Sequence, residues 1–205
     1  GSYGGQVTGG GQDSNTKLLL NFDRGGGTDI EDSSNVGGDG HKITTSGNAV
    51  IKSSPFGDGK SAMYFDGTDD RLTTTTSTDF NFGTDSFTIE FWCYPQETSQ
   101  DYPSIISSND SWADGMSYIR FDNTGYSGKF TFYRKGFTND SDSTWDNDGN
   151  PALLTSNTYS HNQWHHVALV RDGSSLRFYI NGVLDGERTG AVAISGGSSS
   201  LTINF

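Results

Sequence analysis

Three of the chain's four histidines sit together as H-x-x-x-H-H, at His161, His165 and His166, with Asp172 and Asp185 close behind. Imidazoles and carboxylates so close could hold a transition metal or run general-base chemistry, provided their side chains converge. They converge at i and i+4 only on a helix. The surrounding residues, "WHHVALVRDGSSLRFYINGVLDG", carry a strand period and two turn signals, "RDGSS" and "NG". Adjacent residues of a strand point to opposite faces, so His165 and His166 cannot share one ion. These histidines read as sheet residues with local hydrogen bonds, and Trp164 as a core or sheet-edge anchor.

Other catalytic constellations fare no better. A sandwich glycosidase needs two carboxylates on one strand face. In "DSFTIEFWCYP", Glu90 is followed on its face by Trp92 and Tyr94. No G-x-S-x-G elbow is present. Cys93, the single cysteine, falls on the apolar face of its strand and reads as inert core. "SPFGDGKSAMYF" mimics the end of a phosphate-binding loop but has Ser54 where the first glycine belongs and leads into a strand, so it reads as a turn. The sequence assigns no catalytic residue and predicts a protein that is not an enzyme.

Calcium and sugar are the ligands the residue types favour. Calcium takes hard oxygen donors on loops, and "FDGTDDRL" places Asp66, Asp69 and Asp70 around one turn, for calcium or for loop rigidity. "DNDGN" (Asp146, Asp148, Asn150) and "DIEDSS" (Asp29, Asp32) are the other candidates. Trp112, Tyr126 and Trp145 fall in loops, where an aromatic face can stack on the C–H surface of a sugar while neighbouring Asp and Asn bind its hydroxyls.

The elements that must position these residues are strands. Phe87, Ile89, Phe91 and Cys93 alternate with Thr88, Glu90, Trp92 and Tyr94, while "MSYIRFDNTG" and "GKFTFYRKG" form a hairpin pattern. "SAMYFDGTDDRLTT" and "SLTINF" alternate in the same way, and "NFD", "YFDG" and "RFDN" read as strand ends at which Asp turns the chain. No helical period persists for three turns. Short strands separated by 28 glycines predict an all-β, two-sheet antiparallel β-sandwich. The longest irregular stretch is Lys135 to Asn162. Residues 1–15 are a Gly-rich leader, and residues 16–205 form the domain.

A net charge of −12 and a pI near 4.4, with no basic stripe, exclude a nucleic-acid binder. No apolar run reaches the ~20 residues of a spanning helix, so no membrane insertion is expected.

Taken in order, "LLLNFD…DSS", "SAMYFDGTDDRLTT", "DSFTIEFWCYP" and "WHHVALVRDGSSLRFYINGVLDG" resemble the laminin G-like, concanavalin A-like jelly-roll domains, in their bacterial or phage form. The W-H-H-V-A…L-x-F-Y-I-N-G hairpin is the most specific piece. The resemblance implies two antiparallel sheets, one of them curved. It also implies binding of glycan or a surface protein, adhesion, and in many members calcium at the rim. A Gly-, Ser- and Thr-rich sequence looks like a virion or extracellular surface protein. Such domains usually end in a further strand of the type G-x-I-D-E-V-R-I, whereas this sequence stops at "LTINF". The expectation is a fragment of a longer chain or a sandwich with an open edge, which would act as a structural subunit joining other chains of an assembly.

Overall fold

The computed structural model describes residues 13–23, 27–34, 38, 40–53, 60–97, 103–108, 117–134, 151–190 and 199–205. The predicted strands form around the bulky alternating residues. They are β1 (Ile43–Ser46), β2 (Val50–Ser53), β3 (Ser61–Tyr64), β4 (Arg71–Thr74), β5 (Phe87–Cys93), β6 (Ser104–Ser108), β7 (Ser117–Asp122), β8 (Lys129–Arg134), β9 (Leu153–Leu154), β10 (His165–Asp172), β11 (Ser175–Ile180), β12 (Val183–Thr189) and β13 (Leu201–Ile203). The 3-10 turn Thr78–Phe80 is capped by the Ser77 hydroxyl, which accepts from the Asp79 N–H.

Two main antiparallel sheets make the sandwich. One runs β1-β4-β13-β6-β7-β8-β9 and the other β12-β11-β10-β5, with a separate β2-β3 ribbon. Strand pairing turns the alternation of each strand into rows across the sheet. In the seven-stranded sheet one row reads Leu72, Ile203, Ile106, Ile119, Phe132, Leu153. The next row reads Thr73, Thr202, Ser107, Tyr118, Tyr133. The first faces the core, where Ile119, Phe121, Phe130 and Phe132 meet Val167, Leu169, Leu176 and Phe178 from the other sheet. Burying each such side chain contributes about 1.5–3 kcal/mol.

Three local expectations need correction. "NFD" does not end a strand: residues 16–23 have no regular pairing, and Phe22 sits at φ 51°, outside the extended region. That segment is held instead by Asp32, whose carboxylate accepts from the N–H groups of Leu19, Ser34 and His41. Asp32 is therefore a buried backbone cap. The stretch from Lys135 to Asn162 is not wholly irregular, because β9 within it pairs with β8. Finally, Asp66 does make an Asx turn to the Thr68 N–H at 2.8 Å, but Asp122 does not turn the chain that way: its carboxylate takes the hydroxyls of Thr131 and Tyr133.

Candidate functional site

The turn between β3 and β4 brings Asp66, Asp69 and Asp70 together, with one carboxylate oxygen of each lying within 4.8 Å of the others. Asp70 is buried and already employed: one oxygen takes the Asn48 N–H, and the other takes the Asp66 N–H at 2.7 Å. Gly47 permits this approach. It sits at φ 70°, and a Cβ there would strike the Asp70 carboxylate. Asp66 keeps one oxygen beyond its Asx bond, and Asp69 is exposed. These are hard oxygen donors of the type calcium takes, supplying part of its usual ~6–8 ligands. Asp29, also exposed, lies outside the cluster, and Asp146, Asp148 and Asn150 fall outside the described residues.

Of the three loop aromatics, Trp112 and Trp145 lie outside the described residues. Tyr126 is half-buried in the β7–β8 turn, where its carbonyl accepts from the Lys129 N–H at 3.0 Å. Sequence reasoning passed over Trp92, which the structure leaves 61% exposed on the outer face of the four-stranded sheet. Register sets His166 opposite Trp92, and Glu90 opposite Ala168 and, through it, Tyr179. The Trp92 and His166 rings are 5.2 Å apart, and His166 Nε2 lies 3.6 Å from Glu90 Oε2. An accessible indole flanked by a carboxylate and an imidazole can stack on an apolar ring face and exchange hydrogen bonds at its edge. The signal was present in the alternation of "FTIEFWC", which sends Thr88, Glu90 and Trp92 outward.

The histidines separate as strand geometry requires. His165 points inward and its Nε2 contacts the Ser160 carbonyl at 2.9 Å, whereas His166 points outward to Glu90. His161 reaches Asn123 Oδ1 at 3.1 Å. Trp164 anchors against Tyr94, with ring centroids 5.6 Å apart.

The non-core face of β7 and β8 holds a second polar group. Tyr118 and Tyr133 stack at 5.0 Å, and the Arg120 guanidinium lies 4.4 and 4.7 Å from their ring centres. Asp122 follows Arg120 on this face and is fully buried, with Thr131 Oγ1 donating to it at 2.6 Å. Burial holds its carboxyl above the usual carboxylate range, against the opposing pull of Thr131 and Arg120. All five side chains are buried, which makes this group a rigid internal network.

A family model described as the concanavalin A-like lectin/glucanases superfamily, Laminin_G_3, matches residues 65–204. The chain belongs to this laminin G-like family. No curated protein sequence matches it. Among solved structures, the laminin G-like domain is similar to domain 4 of AbnA, an extracellular GH43 arabinanase from Geobacillus stearothermophilus, in complex with arabinotriose. That likeness has a TM-score of 0.59 at 17% identity, over 92% of this chain and 85% of that one. It is similar to the binding domain of botulinum neurotoxin DC in complex with SialylT, with a TM-score of 0.62 at 16% identity, over 92% of this chain and 43% of that one. The domain thus spans less than half of that neurotoxin chain. It also resembles the Emp47p carbohydrate recognition domain, with a TM-score of 0.52 at 12% identity, over 94% of this chain and 87% of that one. At these identities the likeness is one of fold.

Proposed function

We propose that this laminin G-like domain is a non-catalytic carbohydrate-binding module of an extracellular or virion surface, where it serves adhesion. The observation that carries the reading is Trp92, a large aromatic held 61% exposed on the outer strand face beside Glu90 and His166. An indole left in water forgoes roughly 1.5–3 kcal/mol or more of burial, and a glycan ring stacking on it recovers part of that. Similar folds in complex with arabinotriose or SialylT, and in a carbohydrate recognition domain, support the ligand class. Tyr126, Trp112 and Trp145 are the second set of aromatics offered for stacking, with calcium at Asp66, Asp69 and Asp70 stiffening the β3–β4 turn.

A glycan array probed in calcium, and again with chelator, tests this proposal. We expect hits that Trp92→Ala reduces by about tenfold or more, a loss of about 1.4 kcal/mol, at unchanged melting temperature. Loss in Trp112→Ala or Trp145→Ala with Trp92→Ala unaffected moves the site to the segments that carry those residues. A blank array with folded protein in both conditions overturns the carbohydrate reading.

A further inference from the structure

Register arranges the outward residues of the four-stranded sheet in rows across its strands. Trp92 stands with His166; the next row is Glu90, Ala168, Tyr179 and Leu184, and the next Thr88, Val170, Arg177 and Glu187. Asp172 and Ser175 close the β10–β11 hairpin on the same face. These rows hold three carboxylates, Glu90, Asp172 and Glu187, and one guanidinium, Arg177. The charge of Arg177 is already engaged: its Nε donates to Glu187 Oε1 at 2.7 Å, and its Nη1 lies 3.7 Å from Asp172 Oδ2.

Glu90 is placed differently. Its side chain is 64% exposed, and among the described residues the ionisable group beside it is His166, with Nε2 3.6 Å from Oε2. Across the strand pair it faces Ala168, whose methyl offers no hydrogen bond. No lysine or arginine among the described residues pairs with it. Trp92 follows it on the same outward face of β5, roughly 7 Å further along the strand. Both groups draw the same kind of partner. An indole face attracts a cation through its ring quadrupole, and a carboxylate attracts it by charge and by accepting its N–H bonds. The net charge of −12 adds a field that repels anions from every side.

We propose that the Trp92 platform selects sugars carrying a free amine over neutral and acidic ones. This inference rests on the carbohydrate reading above and narrows its ligand class. The sugar ring lays its C–H face on Trp92, and the protonated amine donates to the Glu90 carboxylate. A carboxylate or sulfate on the same ring meets the charge of Glu90 and is turned away.

The probes are a short glucosamine oligomer with free amines and its fully N-acetylated counterpart, of the same linkage and length. Dissociation constants are measured by calorimetry on the intact domain at about pH 7, where amines of this kind keep much of their proton. The amine form should bind about fivefold or more tighter. Glu90→Gln keeps the shape of an exposed side chain and should bring the two affinities together at unchanged melting temperature. Asp29→Asn removes the same charge from an exposed residue outside this sheet and should leave the preference intact. Equal affinities of the parent for the two oligomers overturn the charge selection and leave the carbohydrate reading standing. A preference that survives Glu90→Gln, or that falls equally with Asp29→Asn, also overturns it, because net charge then suffices. Binding of neither oligomer overturns it as well, and the glycan array decides the underlying reading separately.

Discussion

The phenol of Tyr159 donates to Asp185 Oδ2, and Asn157 Nδ2 donates to Oδ1 of the same carboxylate at 2.7 Å. Asp185, on β12, is buried and also receives the Asn157 N–H, while its own carbonyl takes the Ser156 N–H at 2.7 Å. One side chain thereby ties Asn157 and Tyr159 to the edge of the four-stranded sheet. Asp185→Ala leaves the Tyr159 hydroxyl and the Asn157 N–H groups without an acceptor and should cost about 3 kcal/mol, whereas Tyr159→Phe should cost about 1 kcal/mol. Urea unfolding of both variants checks the order, and an Asp185→Ala loss below that of Tyr159→Phe contradicts it.

Asp122 gives the pH dependence a definite sign. Its folded carboxyl ionises above the ordinary 3.8, chiefly because burial disfavours the charge. As pH rises past 3.8 the unfolded chain sheds this proton first, so the group's contribution to stability falls until the folded carboxyl has ionised too. Asp122→Asn removes that slope. Urea midpoints collected from about pH 3.5 to about pH 7 should decline less with rising pH in the variant than in the parent, and parallel curves would refute the assignment.

The thiol of Cys93 is buried among apolar neighbours, and burial pushes its ionisation well above the ordinary thiol range. A disulfide reagent at about pH 8 should label the native domain at least about 100-fold more slowly than the urea-unfolded chain. Equal rates would mean that this part of the core opens readily.

Asp69 and Asp70 separate metal binding from architecture. Asp70 supports two backbone N–H groups, so Asp70→Ala should destabilise the domain by about 2 kcal/mol with or without calcium. If calcium binds as proposed, it should raise the parent's melting temperature, and Asp69→Asn should abolish that rise while leaving the metal-free value unchanged. No rise with calcium in the parent removes calcium from the reading.

The strands were legible because their alternation is strong. Phe87, Ile89 and Phe91 turn inward, as do Ile119, Phe121, Phe130 and Phe132. The same alternation placed Trp92 outward, but nothing in β5 itself says whether another element covers that face. Its exposure is a tertiary fact, and attention to loop aromatics passed over it. Tyr118, Arg120 and Asp122 were likewise alternate residues of one strand, and their role appears only when β8 sets Tyr133 and Thr131 opposite. Phe22 was misread because a short apolar run such as "LLLNF" fits a strand until its dihedral angle is seen. The carboxylate that holds this run, Asp32, lies 13 residues from Leu19.

β13 lies between β4 and β6, and the Leu201 N–H reaches Thr74 Oγ1 across 127 residues of chain. A ribosome making this protein therefore releases β1 and β4 long before the strand that joins them to the rest of their sheet. Until then they are a lone hairpin-like pair with one raw edge, of marginal stability by themselves. The largest sheet is stitched together last, from its middle, by three residues. Such distant pairing slows folding toward the millisecond-to-second range, and during synthesis it leaves β4 and β6 as two sticky edges awaiting the same late strand.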